Sequence, residues 1–369
     1  MSPLDAFSPD YSHARARFRQ MLAERGWRHE AHAISAPGFG EGDLTIDVGR
    51  LGAADAASVL IVSSGLHGSE GYFGSAVQLA WLDSLPPSWQ PPPGTAVVLL
   101  HALNPYGFAT IRRANEENID LNRNFLDADR FAELRETTQP LFSPIDADLN
   151  PPCAPGRCNW FFVQFPWMAM RFGLPYLREV MPAGQYAFPK GIFYGGTQHC
   201  QSTRVVMEQM PSWIGPAQRV IHLDYHTGLG RFGQYNLLSS DPVGSPRMLQ
   251  AVTLFSGEPV RFDHQLEGGY HNHGDMGEWL SNRFADRQYL YLCAEFGTFN
   301  STRVIGMLRR ENQAHHWLDK RHPRYAEIKS RVIDTFAPFS PKWRCSVVHQ
   351  SVRLNQLAVT RCAEQCILF

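Results

Sequence analysis

The chain has 369 residues, 44% of them apolar and 19% charged, and a formal net charge of −1. That balance excludes a disordered chain and a polybasic nucleic-acid or membrane-surface binder, and no apolar run is long enough for a bilayer-spanning helix. Seven cysteines, an odd count with no CxxC pair, read as free thiols of a reducing compartment.

The opening "MSPLDAFSPDYSHARARFRQ" lacks the apolar core of a secretory signal, so a soluble, cytoplasmic protein is expected. From Tyr11 to Arg25, Ala, Phe, Met and Leu recur at helical spacing, which predicts an amphipathic helix. "LTIDVGRLG" alternates and predicts a strand over Leu44 to Val48. "ASVLIVSSG" is a continuous apolar run, the pattern of a strand buried on both faces. It ends in a glycine-wrapped His67-Gly-Ser-Glu70 turn. "GYFGSAVQLAWLDSL" has helical periodicity, and "GTAVVLLHALNPYG" is another buried strand closed by an Asn-Pro turn. Strands alternating with helices predict an α/β fold with a mostly parallel or mixed sheet. From Asp127 to Pro216 the chain turns rich in Pro, Trp, Phe and Tyr, which predicts a long insertion of short helices and loops packed on the sheet. No flexible linker brackets it, so residues 1–369 read as one domain. "RVIHLDYHTGLG", "QYNLLS" and "YLYLCAEFGTF" predict three further strands, and a closing helix is expected over about 346–366.

Three of these strands run into polar residues: His67 and Glu70, then His226, then Glu295. Ligands of open α/β sheets bind at the carboxyl ends of strands, so the three clusters can converge. Two imidazoles and a carboxylate form a catalytic zinc shell with a fourth position for water. His67, Glu70 and His226 are therefore the expected ligands of one Zn2+ ion. His222, inside its strand, reads as a core histidine. Glu295 is the expected proton carrier beside the ion. Asp224 reads either as a partner orienting a ligand histidine or as a strand-edge acid. The segment "NPYGFATIRRANEENIDLNRNF" adds Arg112, Arg113, Asn122 and Arg123, anchored by Ile119, Leu121 and Phe125. Arginine at such a site polarises a carbonyl or clamps an anionic substrate end. Ser63 and Ser64 lack the glycine-flanked elbow of a serine esterase.

The ordered landmarks His67-x-x-Glu70, "NPYG", "RRAN…DLNRNF", His226 and Glu295 resemble the zinc carboxypeptidase (carboxypeptidase A-like) superfamily. "SSGLHGSEGYFGSAVQLA" looks like an uncharacterised bacterial branch of it, and "LDYHTGLG" is similar to the succinylglutamate desuccinylase and aspartoacylase relatives. The resemblance implies a three-layer α/β/α sandwich around a mixed, roughly eight-stranded sheet. It implies zinc on His67, Glu70 and His226, and Glu295 as the base. Arg113, two before Asn115, would be the oxyanion donor, with Arg112 the alternate. Asn122 and Arg123 would hold the substrate carboxylate. Tyr270 is the nearest match to the family's loop tyrosine, with His271 and His273 beside it. The implied substrate is a small molecule or peptide with a free carboxylate, hydrolysed at an amide. An N-acyl amino acid deacylase is the alternative. A non-catalytic binding protein on the same fold would lack a ligand or the base, and neither is missing. Oligomeric state is left open.

Overall fold

The computed structural model describes residues 1–158, 160–262 and 272–364. Helix α1 (Tyr11–Glu24) starts where Asp10 accepts a hydrogen bond from His13 N, satisfying one of the orphan amides of the first turn. It leads into edge strand β1 (Arg28–Ala33), whose polar, exposed sequence RHEAHA carries no strand periodicity and was not foreseen. Strands β2 (Thr45–Gly52), β3 (Ser58–Ser64) and β4 (Thr95–His101) follow, with α2 (Gly71–Ser84) between β3 and β4. Every residue of β3 and β4 is buried, as their unbroken apolar runs require.

Strand β5 (Arg219–Phe232) and β8 (Gln288–Gly297) pair in parallel with the β3 side of the sheet, and β6 (Tyr235–Ser239) and β7 (Val260–Phe262) finish it. The eight strands lie in the order β1-β2-β4-β3-β5-β8-β6-β7. The centre β4-β3-β5-β8 is parallel, whereas β1-β2, β2-β4 and β8-β6 are antiparallel. This is the mixed sheet of the expected sandwich. One face is covered by α2 and by α12 (Pro341–Ala363), where Tyr225 donates to Asn355 and packs on Phe73. The other face is covered by α7 (Gln201–Ile214) and α9 (Met276–Arg283), where Tyr289 meets Met210 and Gly277 abuts the Tyr291 ring.

Residues 127–216 differ from the expectation of short elements lying on the sheet. They hold α4 (Arg130–Leu149), 20 residues long, as well as α5 (Phe161–Phe172), α6 (Leu174–Ala183) and α7. Only α7 packs on the sheet core. Helices α4 to α6 bury Phe142, Met168 and Leu177 in a second apolar cluster with α10 (Ser301–Trp317) and α11 (Pro323–Phe336). Prolines at 140 and 144 sit inside α4 and hid its helical character from a reading that treats proline as a breaker. Among the described residues no helix is long and apolar enough to cross a membrane.

Candidate metal centre

The parallel register sets the site. Ser63 lies opposite Asp224, and His226 lies opposite Glu295, so β3, β5 and β8 end side by side. Residues 222, 224 and 226 share one face of β5 with the period of a strand. After β3, the chain turns through Gly65 (φ +68°) into His67 and a short 3-10 turn, Gly68–Glu70, which flows into α2. A side chain at Gly68 would collide with the backbone of Gly107, at 2.1 Å from its carbonyl carbon. That contact brings in α3 (Pro105–Thr110) and the loop behind it: Gly68 N donates to Arg113 O at 3.2 Å. Asn104 caps α3 by accepting from Gly107 N and also donates to Arg113 O. The "HGSE" and "NPYG" phrases are thus two halves of one backbone contact that brings Arg113 beside His67 and Glu70.

His67 Nδ1 lies 2.9 Å from Glu70 Oε1, His226 Nδ1 lies 3.1 Å from Glu70 Oε2, and the two Nδ1 atoms are 3.2 Å apart. A tetrahedral ion at about 2.0–2.1 Å from each ligand needs donor atoms roughly 3.3 Å apart. The three donors therefore fit such an ion. The far ring nitrogens are turned to carboxylates: His226 Nε2 to Asp224 Oδ2 at 2.6 Å, and His67 Nε2 to Asp120 Oδ1 at 3.3 Å. The Asp224 bond orients the His226 Nδ1 lone pair toward the shared point, while Asp120 lies beside His67 Nε2 without a hydrogen bond. Burial alone would raise the Glu70 carboxyl, but His67 and His226 outweigh it and hold it well below its ordinary value. Burial opposes protonation of His226, yet Asp224 and Glu70 raise it well above the usual range.

Glu295 stands across from His226, only 7% exposed, and accepts a hydrogen bond from Leu229 N at 2.8 Å. Burial first, and the Glu70 charge second, push it up to about 8. Besides His226, Asp224 accepts two further hydrogen bonds, from Ser63 Oγ and from Tyr291 OH. His222 is bonded to Ser63 and Tyr289, and burial lowers it to about 4, so it is a neutral member of the core.

Arg113 lines the cavity and pairs through Nε with Asp120 at 2.8 Å, with Nη1 3.7 Å from Glu70. Arg112 does not line it. Its guanidinium is buried on the opposite side, bonded to Glu311, Asn118 and Asn312, because a buried cation needs a counter-charge. The alternate oxyanion and substrate role assigned to Arg112 is corrected accordingly. Asn122 and Arg123 line the cavity: Asn122 donates to Asp275, and Arg123 donates to Pro182 O and Asn122 O. Tyr270 and His271 lie outside the described residues. His273 is held by its backbone, donating to Ala183 O and accepting from Tyr186 OH.

Asp120 and Phe193 were not singled out in the sequence. Asp120 lies inside "DLNRNF", and nothing in its neighbourhood marks it as more than a cap of the Leu121–Arg123 turn. Phe193, at φ +58°, sets its ring 5.4 Å from the Arg113 guanidinium and 6.0 Å from that of Arg123. Such strain in a non-glycine residue is characteristic of functional sites. Among the described residues, His226, Cys293 and Glu295 form the only other group of acidic, thiol and imidazole donors close enough to share an ion.

The family described as a protein of unknown function, DUF2817, matches residues 7–350. The chain belongs to the DUF2817 family. All the site residues of this DUF2817 chain fall within the matched span. No curated protein matches it. Solved structures similar to the DUF2817 chain include carboxypeptidase A from Helicoverpa armigera, at 12% identity over 89% of this chain and 74% of that chain, TM-score 0.47. They also include the murein-tripeptide amidase MpaA from Escherichia coli O157, at 20% identity over 78% and 95%, TM-score 0.41. Bovine thrombin-activatable fibrinolysis inhibitor, solved with tick carboxypeptidase inhibitor, matches at 11% identity over 88% and 97%, TM-score 0.47.

Proposed function

We propose that this protein is a zinc-dependent hydrolase that cleaves an amide bond in a carboxylate-bearing substrate, in the manner of a metallocarboxypeptidase. The observation that carries the reading is the convergence of His67 Nδ1, His226 Nδ1 and the Glu70 carboxylate on one point, with a second buried acid, Glu295, facing it. A zinc ion held there would polarise the scissile carbonyl and lower the pKa of a water molecule to about 7.

The chain's own residues then have defined tasks. Glu295, in its ionised form, takes a proton from the attacking water and delivers it to the departing amine nitrogen. Burial and the Glu70 charge oppose this ionised form, and a cation held by His67, Glu70 and His226 would favour it. Arg113, held by Asp120, offers its guanidinium to the carbonyl oxygen as charge develops there. Arg123, fixed by Pro182 O, and Asn122, fixed by Asp275, orient the substrate's carboxylate. Asp224 keeps His226 in the tautomer that presents Nδ1.

The test is a panel of dipeptides and N-acyl amino acids assayed on metal-stripped protein before and after zinc. Hydrolysis is expected only with zinc. Glu295→Gln should take up zinc normally and lose roughly a hundred- to ten-thousand-fold in turnover. Full activity in that variant, or equal activity in the stripped protein, contradicts the reading.

A further inference from the structure

The cavity has two chemically different halves. Its volume is about 340 Å³, enough for a ligand well beyond a small amino acid. At one end, Asn122 donates to Asp275 Oδ2 at 3.0 Å and Ser240 donates to Asp275 Oδ1 at 3.2 Å, with Tyr291 and Cys293 beside them. Elsewhere the lining is mainly apolar: Phe165, Leu177, Ile305, Leu308 and Phe336 belong to the cluster that joins α5 and α6 to α10 and α11, with Arg178, Ser301 and Thr302 as the polar members of those same elements.

The metal centre lies between the two. A Cβ placed on Gly228, two residues past His226, would have Glu295 Oε1 and Phe336 at 3.8 Å and Val304 at 3.9 Å. The apolar half therefore begins at the catalytic acid. Leu308 also abuts the small cavity beneath Arg113 and Phe193. A substrate with its carboxylate at Asn122 and Arg123 and its carbonyl at Arg113 places its amine-side substituent among Ser240, Asp275 and Cys293. Its acyl carbon then points past Arg113 into the apolar half.

We propose that the acyl group accepted by this site is a long apolar chain, so that the substrate is an N-acyl amino acid of the amphiphilic kind rather than a short-acyl amide or a polar peptide. This rests on the hydrolase reading above and specifies its substrate class. In the reaction, the acyl C–N bond breaks and a C–O bond to water oxygen forms. Both water protons end on the departing nitrogen, one of them through Glu295, and the products are a long-chain carboxylate and an amino acid with its ammonium group. No redox partner is needed. The insertion supplies this specificity: Phe165 and Leu177 come from α5 and α6, outside the strands and turns that build the metal centre. An acetyl group would leave most of the apolar wall facing water, whereas each methylene buried against it adds about a fourfold gain in binding.

The experiment uses zinc-loaded protein and acetyl, butyryl, octanoyl and dodecanoyl derivatives of glycine, alanine, serine and lysine. The kcat/KM is expected to climb with chain length, approaching about fourfold per methylene until the wall is covered. Calorimetric binding of the same series to zinc-loaded Glu295→Gln should show the same slope without turnover. Phe165→Ser and Ile305→Ser, each at a half-buried wall position and each checked for native circular dichroism, should flatten the slope. Hydrolysis of the acetyl compounds as efficient as that of the dodecanoyl compounds, with no binding gain, overturns the long-chain assignment and leaves the hydrolase reading standing. Efficient cleavage of dipeptides with inert acyl compounds has the same consequence. Failure to bind or cleave any member of either panel overturns the hydrolase reading and this inference with it.

Discussion

At the residue scale, the candidate ligand His226 depends on a side chain outside the ligand set. Asp224 holds His226 Nε2 at 2.6 Å while Ser63 and Tyr291 hold Asp224. Asp224→Asn should keep the fold and weaken zinc affinity by roughly ten- to a hundred-fold. Competition with a chromogenic chelator measures this, and an unchanged affinity would remove Asp224 from the centre. Arg113→Ala should retain zinc and lose about a hundred- to a thousand-fold in turnover. Retention of turnover would mean that the guanidinium does no more than brace Asp120. With zinc bound, kcat/KM should rise with pH through an acid limb lying below about 8, since Glu295 works only when ionised, burial and the Glu70 charge push its carboxyl up to about 8, and a nearby cation would bring it down. A profile that falls over that window would contradict the base role. The convergence of His67, Glu70, His226 and Glu295 was legible because each lies at or just past the carboxyl-terminal part of an apolar strand. Asp120 and Phe193 were not, since one reads as a turn cap and the other as an insertion aromatic. Arg112 was misassigned because a doubled Arg-Arg gives no sign of which guanidinium faces the cavity. Burial and the Glu311 counter-charge decide it.

At the element scale, the loop that carries Arg112 and Arg113 is locked to α10 and α11 by a buried ion cluster. Glu311 on α10 meets Arg112 at 3.0 Å and Lys329 of α11 at 2.5 Å, and Lys329 also donates to Ile111 O. Burial alone would raise Glu311, but Arg112 and Lys329 outweigh it and hold the carboxyl at about 2. The folded value lies below the unfolded one, so this acid stabilises the protein fully above its ordinary value near 4.5. That contribution is lost as pH falls from there toward about 2. Glu311→Gln should cost about 3–5 kcal/mol in urea unfolding at neutral pH, because two cations stay buried without their partner. A loss under 1 kcal/mol would show the cluster to be solvated. The alternating strands and helices of the sheet were readable from their apolar runs. Strands β1 and β7 were not, because edge strands this polar or this short carry no periodicity. The long α4 was hidden by its internal prolines.

At the scale of the whole molecule, the proposed ligands are residues 67, 70 and 226, which meet only when β3 and β5 pair. The unfolded chain offers no such group, so a bound ion stabilises the folded state by mass action, about 4 kcal/mol at a thousand times the dissociation constant. Zinc added to stripped protein should therefore raise the melting temperature by several degrees, and His226→Ala should abolish that rise. The central claim is that His67, Glu70 and His226 hold one zinc ion, and elemental analysis of reconstituted, dialysed protein tests it most directly. One equivalent of zinc per chain is predicted for the native protein, with less than a tenth of an equivalent in His226→Ala and Glu70→Gln variants that keep native circular dichroism. A native protein that retains no zinc, or variants that retain as much as the native protein, would contradict it.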